Sequence, residues 1–345
     1  MPSKAFFFLM CAVFLGIFAW YGLFTPTQSS SSEHELFTIT PGETNKEIAT
    51  ALKDQGYIRF SMLLRVWALT TGVSGYLQAG EYALSKSMTP LEILRKFYLG
   101  DVVKETITIP EGWNLRNIAE YFENRGLGTQ QEIFSLVGYP GIDYRTGIDL
   151  PKLQDMASEF EFLSSKPAHV SLEGYLFPDT YEIRKGETRE AIVRRMLARF
   201  GAQFGAQLRA EAAARGKTVF EIVTMASLLE KEVKSYEDKQ IVSGLLLKRL
   251  QAGMPLQVDA TIAYITGKNT TAISLAETRI DSPYNTYLYR GLPLGPIGNP
   301  GIESIRAALY PQESPYWFYL STPDGETVFS RTHEEHVAAK AQYLR

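Results

Sequence analysis

Cysteine is nearly absent: Cys11 stands alone in 345 residues and lies inside an apolar N-terminal run. Beyond that run a disulfide framework, a cysteine nucleophile and a zinc–thiolate site are all excluded. Histidine is scarce too, with four in the chain. His34 falls in a polar linker and His169 in a segment without periodicity, so a Ser–His–Asp arrangement has no local support. Excess charge is also missing. The formal net charge is -3 and no basic stripe is visible, which removes nucleic acid as an expected partner. Chemistry is left to carboxylates, hydroxyls and the few histidines.

Hydrophobic residues make up 45% and charged residues 21%, an ordinary globular balance. The length allows two or more domains, each with its own core. One stretch stands apart: Ala5 to Phe24 carries no charge. As a helix it reaches about 30 Å, one hydrocarbon thickness. A cleaved signal peptide has a shorter apolar region with a small-residue site behind it, and no such site follows Phe24. Leu9 and Met10 precede Cys11 where a lipoprotein site has a small residue. The stretch is read as a retained transmembrane helix (5–24) behind a cytoplasmic stub (1–4). Lys4 flanks it on one side, Glu33 and Glu35 on the other. The N-terminus is therefore expected inside the cell inner membrane and the bulk of the chain outside it.

TPTQSSSSEHE (25–35) is a polar tether. After it LFTIT reads as a strand, and Thr44 with Glu47 forms a capping box for a helix that Gly56 closes. Ser61 is expected to cap a second helix, EYAL (81–84) to form a strand, and Thr89-Pro90 with Glu92 to open a third helix. This strand-plus-two-helix pattern over 36–103 resembles LysM modules, which hold wall polysaccharide. TITPGETNKEIATALKDQG (38–56) is echoed by TIPEGWNLRNIAEYFENRG (108–126), with Gly42 falling on Gly112 and Gly56 on Gly126. Two copies are too few for a repeat array. Residues 127–170 show no periodicity. Beyond them 186–204 is an amphipathic helix, and KTVFEIVTMASLLEKEV and DKQIVSGLLLKRLQAG are two more. A hairpin turns at Pro323-Asp324-Gly325, and a last helix starts at Thr332. The expected fold class is α+β: one transmembrane helix, a tether, a LysM-like module (36–103) and a mixed α/β domain (104–345).

Within MASLLEKEV, Glu230 shares a helix face with Val223, Ala226 and Ser227, which leave room beside its carboxyl group. Burial there would favour the protonated acid and suit a proton donor; pairing with Lys234 at a wet helix end explains the residue as well. Glu232 points elsewhere, over Met225, Leu228 and Leu229. The loop 281–301 holds Tyr284, Tyr287 and Tyr289 with Asn285 and Asn299, aromatic faces and amides that suit sugar rings. A surface loop whose tyrosines fold back onto the core is the plainer alternative. Gln257 and Asp259 either face a cleft or serve as turn and cap residues. Glu173 and Asp179 are further carboxylates. HEEH (333–336) puts two histidines on one helix face, yet it lacks the H-E-x-x-H spacing and a third ligand, so no metal is expected.

EGYLFPDTY (173–181), MASLLEKE (225–232), KRLQAGMPLQVDATIAY (248–264) and YNTYLYRGLPLGPIGNPG (284–301) follow in this order behind the apolar N-terminus. Together they resemble the YceG-like endolytic murein transglycosylases (MltG family) over nearly all of the chain from about Phe37. Leu294 stands where that family commonly has a second proline, and Val258 and Ala260 flank Asp259 where threonine and proline are usual. Those changes remove no ionisable group. The resemblance implies a membrane-anchored enzyme that cuts nascent peptidoglycan strands between N-acetylmuramic acid and N-acetylglucosamine. It would leave 1,6-anhydromuramyl ends, use no cofactor, and work alongside peptidoglycan synthases (penicillin-binding proteins). The family's catalytic glutamate, taken as the first of its E-K-E, falls on Glu230, with Glu232 a neighbour. Gln257, Asp259, Asn285 and Asn299 are then expected to steady the sugar or the developing charge. Tyr284 and Tyr287 would stack on it, and Glu173 is a reserve carboxylate. Two other readings stay open: a catalytically silent wall-binding or synthase-scaffolding protein on the same fold, and a metal-dependent wall peptidase using His333 and His336.

Overall fold

The computed structural model describes residues 4–30, 33–147, 150–268 and 273–343. Residues 1–3 of the expected stub and 31–32 of the expected tether lie outside the described residues. The chain divides into two compact units, one of residues 1–106 with 182–187 and one of 107–181 with 188–345.

In the first unit, α1 (Lys4–Phe24) takes in the uncharged stretch, and among the described residues it is the one helix long and apolar enough to cross a membrane. Next, β1 (Glu35–Ile39) pairs antiparallel with β2 (Gly80–Leu84). Between the two strands lie α2 (Asn45–Asp54) and α3 (Ser61–Thr70), and α4 (Pro90–Leu99) follows. Both α2 and α4 open on capping boxes, Thr44 with Glu47 and Thr89 with Glu92. Each box satisfies N–H groups that have no partner inside the helix. Ser61 is the first residue of α3 rather than its cap; Phe60 holds the cap position in an extended conformation, without a side-chain bond. Strand alternation turns Phe37 and Ile39 of β1, and Tyr82 and Leu84 of β2, onto one face. There they meet Ile48 and Leu52 of α2 and Ile93 and Phe97 of α4 in a single core. Each such side chain contributes about 1.5–3 kcal/mol by leaving water.

Next in the chain, β3 (Lys104–Thr108) pairs with β4 (Thr180–Arg184), and the boundary between the units falls inside both strands. The second unit is mostly helical. It contains α5 (Leu115–Asn124), α6 (Gln130–Val137), α7 (Arg189–Gln203), α8 (Ala206–Ala214), α9 (Val219–Glu232), α10 (Tyr236–Gln251), α11 (Asp259–Thr266) and α12 (Ile302–Leu309). A hairpin of β5 (Phe318–Ser321) and β6 (Thr327–Ser330) and the final α13 (His333–Tyr343) complete it. The echo between the two glycine-punctuated segments is kept: Gly42 and Gly112 take φ of 91° and 77°, and Gly56 and Gly126 take 80° and 70°. Residues 127–170 are not wholly irregular. They contain α6, opened by a Thr129–Glu132 capping box but only eight residues long, too short for its apolar period to stand out. The helix expected over 186–204 is followed, after a break at Phe204 and Gly205, by α8.

Central to the unit is α9. It is buried continuously from Ile222 to Leu229, and α8, α10, α11 and α12 pack around it. A helix apolar on every side belongs inside. Its Thr218–Glu221 capping box fixes where it starts, and extended Val233 (φ -142°, ψ 153°) ends it. The last turn therefore leaves the core carrying Glu230, Lys231 and Glu232.

Candidate active site

Successive helical residues point about 100° apart, so these three charged side chains enter different surroundings. Glu230 turns toward α12, whose cap residue Gly301 has no side chain to offer. One Glu230 carboxylate oxygen accepts from the Gly301 N–H at 2.9 Å and from the Ser304 hydroxyl at 2.7 Å. The other faces Lys239 Nζ at 3.3 Å, in a pair whose side chains are only 10% and 4% exposed. Glu230 thus closes the open end of α12 from a distance, and its ion pair is with Lys239 of α10, not with Lys234. Nearby, burial pushes the Glu111 carboxyl up, and the negative charge of Glu230 pushes it further. Lys231 lies along Gly112 and Gly298: a Cβ at Gly112 would stand 3.6 Å from its ammonium.

Glu232 faces the other way, into a cavity of about 880 Å³ in the second unit. Its wall includes Glu232, Arg249, Gln257, Asp259, Tyr287 and Tyr319, with Asn114, Arg116 and Lys231 farther round. Glu230 is not part of that wall. The Tyr319 hydroxyl donates to Glu232 Oε2 at 2.9 Å, and the Ser321 hydroxyl donates to the Glu232 backbone carbonyl at 3.0 Å. Burial pushes the Glu232 carboxyl up to about 7; Asp259 adds to the rise, while Tyr319 and the Ala260 amide oppose it. A carboxyl group near 7 is half protonated at neutral pH and can both give and take a proton.

Asp259 opens α11 and accepts the Tyr287 hydroxyl. Burial, and then this carboxylate, push the Tyr287 phenol up, so it stays a proton donor. Gln257 has φ of 53°, the one positive value outside glycine among the described residues. Such backbone costs about 1–3 kcal/mol and persists only when neighbours hold it. Thr286 supplies that hold: its carbonyl accepts from Gln257 N–H at 3.1 Å and its hydroxyl from Val258 N–H at 3.0 Å. Arg249, buried in the same wall, donates to the Trp317 carbonyl at 2.9 Å and the Leu256 carbonyl at 2.8 Å. It therefore ties the entry of β5 to the Gln257 turn.

Of the residues singled out in the sequence, Gln257, Asp259, Tyr287, His333 and His336 line this cavity, and Glu232 with them. Tyr284, Asn285, Asn299 and Glu173 do not. Tyr284 is buried against Tyr264, ring centroids 5.2 Å apart, and offers no face for stacking. Asn285 is consumed within its own loop: its amide donates to the Thr278 and Ile280 carbonyls at 3.0 and 2.8 Å and its oxygen accepts from Tyr287 N–H at 2.9 Å. Asn299 is equally engaged. Its oxygen accepts from Leu176 N–H at 2.9 Å, and its amide donates to the Trp113 carbonyl at 2.9 Å and to Glu173 at 3.3 Å. Glu173 sits behind the wall, accepting from Leu115 N–H at 3.1 Å and the Tyr264 hydroxyl at 3.0 Å. Burial pushes its carboxyl up to about 7 as well, but those donors keep it with the protein. His336 stacks on Phe318 with ring centroids 5.3 Å apart, His333 meets the same ring edge-on at 5.7 Å, and burial pushes His336 down to about 4. The sequence reading sets Glu232 aside as a neighbour of Glu230 and does not single out Arg249 or Tyr319, which reach the wall from other segments of the chain.

The sequence model of the YceG-like family matches residues 37–342. An endolytic murein transglycosylase of Bacillus subtilis is 31% identical over 324 residues, 93% of this chain and 88% of that protein. One of Streptococcus pneumoniae is 30% identical over 336 residues, 92% of this chain, and the chain spans 60% of that longer relative. The crystal structure of a YceG-like protein of Listeria monocytogenes aligns with a TM-score of 0.58 at 30% identity, covering 89% of this chain and 99% of that one. These matches run from the first strand through every element of the cavity wall to the last helix, and on that extent the chain belongs to the YceG-like family.

Proposed function

We propose that this protein is a lytic transglycosylase that cuts peptidoglycan glycan strands internally, between N-acetylmuramic acid and N-acetylglucosamine, with Glu232 as its acid and base. The family and the relatives named endolytic murein transglycosylase support the reaction class. The observation that carries the assignment of the acid is the Glu232 carboxyl, pushed up to about 7 on the wall of a cavity large enough for sugar rings. Hydrolysing glycosidases use two carboxyl groups, one to protonate the leaving oxygen and one to attack or to activate water. A lytic transglycosylase does with one. Glu232 protonates the glycosidic oxygen as the bond to the muramyl anomeric carbon breaks. The muramyl C6 hydroxyl then attacks that carbon, and Glu232 takes its proton, closing the 1,6-anhydro ring. No water is consumed, and the nucleophile is already tethered to the reacting centre, which lowers the entropic barrier. Asp259, bonded to Tyr287, provides negative charge facing the positive charge that develops on the sugar. Gln257 is placed to contact the strand. Glu230, by contrast, holds α12.

The rest of the reading follows from the chain's first part. Leu23 of α1 is 4% exposed and belongs to the core of the first unit, which favours a retained anchor over a cleaved leader. On this reading the N-terminus lies on the inner side of the cell inner membrane and the cavity on the outer side, where nascent strands are made. Peptidoglycan synthases are the expected neighbours there. The β1-α2-α3-β2 order supports a LysM-like module, and strand binding is its proposed role. Mass spectrometry of products from one purified glycan tests the assignment with wild type, Glu232→Gln and Glu230→Gln. Anhydro-ended products from wild type but none from Glu232→Gln are expected. No product from wild type would favour the silent scaffold, and undiminished product from Glu232→Gln would remove it as the acid.

A further inference from the structure

The first unit carries an apolar stripe that its own core does not use. On α3, Leu64 and Ala68 face the core, while Leu63 and Trp67 face α1 and its end. Met62, Val66 and Leu69 are left outside, 64%, 47% and 62% exposed. At 100° per residue these three fall within an arc of about 60°, one continuous strip along the helix. What covers that strip is indicated by its neighbour.

The end of α1 is built against α3. Gly22 lets the two approach so closely that a Cβ there would come within 2.4 Å of Leu63 Cδ1. Phe18 packs on Phe60 with ring centroids 4.7 Å apart, and Phe24 meets Trp67 at 6.1 Å. Arg59 lies 4.7 Å over the Tyr21 ring and donates to the Thr25 carbonyl at 3.2 Å. The apolar span of α1, Phe6–Phe24, has 19 residues. Its length is about 28 Å, no more than the hydrocarbon thickness of a bilayer. None of it can be spared. The stretch Phe18–Phe24 that α3 covers, its last 9 Å or so, must then lie in the outer leaflet, and α3 must lie there with it. Trp20 and Tyr21, exposed on that same stretch, are residues that favour the membrane–water boundary.

We propose that α3 lies in the outer membrane–water interface, with Met62, Val66 and Leu69 seated among lipid acyl chains beside the anchor. This rests on the reading of α1 as a membrane anchor. Interfacial helices sink an apolar face about 5–10 Å, the depth that contact with the last turns of α1 imposes. Arg59 and Arg65 fall at the level of lipid headgroups, where cations are welcome. A single spanning helix is a swivel; a second contact beside it fixes how the first unit stands on the membrane.

The test uses the full chain in nanodiscs of zwitterionic and anionic phospholipids, with an environment-sensitive fluorophore on one cysteine at a time. Cys11, the only native cysteine, reports on α1. In a Cys11→Ser background, Met62→Cys and Leu69→Cys report on the strip, and Lys53→Cys on α2 is the aqueous reference. Labels at 62 and 69 are expected to lose quenching by aqueous iodide relative to 53, and to be quenched by lipids carrying a shallow nitroxide. If they are quenched by iodide as strongly as 53 while the Cys11 label is shielded, the strip faces water or a protein and the proposal is overturned with the anchor intact. An iodide-accessible Cys11 label would bring down the anchor reading itself, and this inference with it.

Discussion

Replacing Glu232 with glutamine is expected to move activity and stability in opposite directions. In the folded protein the carboxyl stands at about 7 against an ordinary 4.5. Because the value is raised by folding, the folded state holds a proton that the unfolded chain has already lost between those two points. The penalty for burying the anion is absent below pH 4.5, grows as pH rises, and is complete above pH 7 or so. The gap, at 1.36 kcal/mol per pH unit, corresponds to about 3 kcal/mol. Water in the open cavity screens part of it, leaving about 2 kcal/mol at pH 8. Glutamine keeps the shape, offers Tyr319 an oxygen, and has no charge to desolvate. Glu232→Gln should therefore be more stable than wild type at pH 8, by a few degrees in Tm for a unit of this size, and equally stable at pH 4.5. Turnover should fall about 10²–10⁴-fold, the usual contribution of a positioned acid. Thermal unfolding followed by circular dichroism at the two pH values, beside product analysis, reads both effects. A variant less stable at pH 8, or one that turns over like wild type, would refute the reasoning.

The neighbours of Glu232 should tune it with opposite signs. Tyr319→Phe removes a donor that holds the carboxyl down, so the alkaline limb of kcat/KM should move to higher pH; Asp259→Asn removes a negative charge that holds it up, so the limb should move to lower pH. A pH–rate profile that shifts the same way for both would contradict the assignment. Glu230→Gln strands the buried Lys239 ammonium and should cost about 3 kcal/mol of stability. Adding Lys239→Met should restore most of that stability, and with it activity; a stable but inactive double variant would return the acid role to Glu230. Asn299→Ala takes the acceptor from the buried Leu176 N–H, worth about 1–3 kcal/mol, while the Trp113 carbonyl keeps the backbone N–H of residue 299. Urea unfolding should show that loss while KM of the folded enzyme stays near the wild-type value; a KM effect without a stability effect would mean that Asn299 touches the strand.

Local chemistry made much of the first unit readable in advance. Thr44 and Thr89 each open a helix through a box whose donors and acceptors lie three residues apart, so the signal is complete within one turn. Ser61 misled because a hydroxyl at a helix start is only a cap if the backbone there turns extended, and in this chain it is Phe60 that does. The α12 helix went unseen for the opposite reason. Its N-terminus is closed by Glu230, a residue 71 positions away, and no local pattern carries such a bond. In the loop 281–301, tyrosine and asparagine content pointed to sugar binding. Yet Tyr284, Asn285 and Asn299 are spent on holding the loop, and only Tyr287 of that group reaches the cavity.

By itself the sequence determined the apolar N-terminal helix, the caps, the glycine turns and the exclusion of thiol chemistry, because each depends on residue type or on spacing within a few positions. It also set out the E-K-E end of α9 as the place to look for an acid. Which of the two glutamates faces the cavity was decided only in three dimensions. The 200° between them sends Glu230 to Lys239 and the bare end of α12, and Glu232 to the space between α11 and β5. A carboxyl group acquires its proton affinity from what surrounds it, and those surroundings come from segments nearly a hundred residues apart.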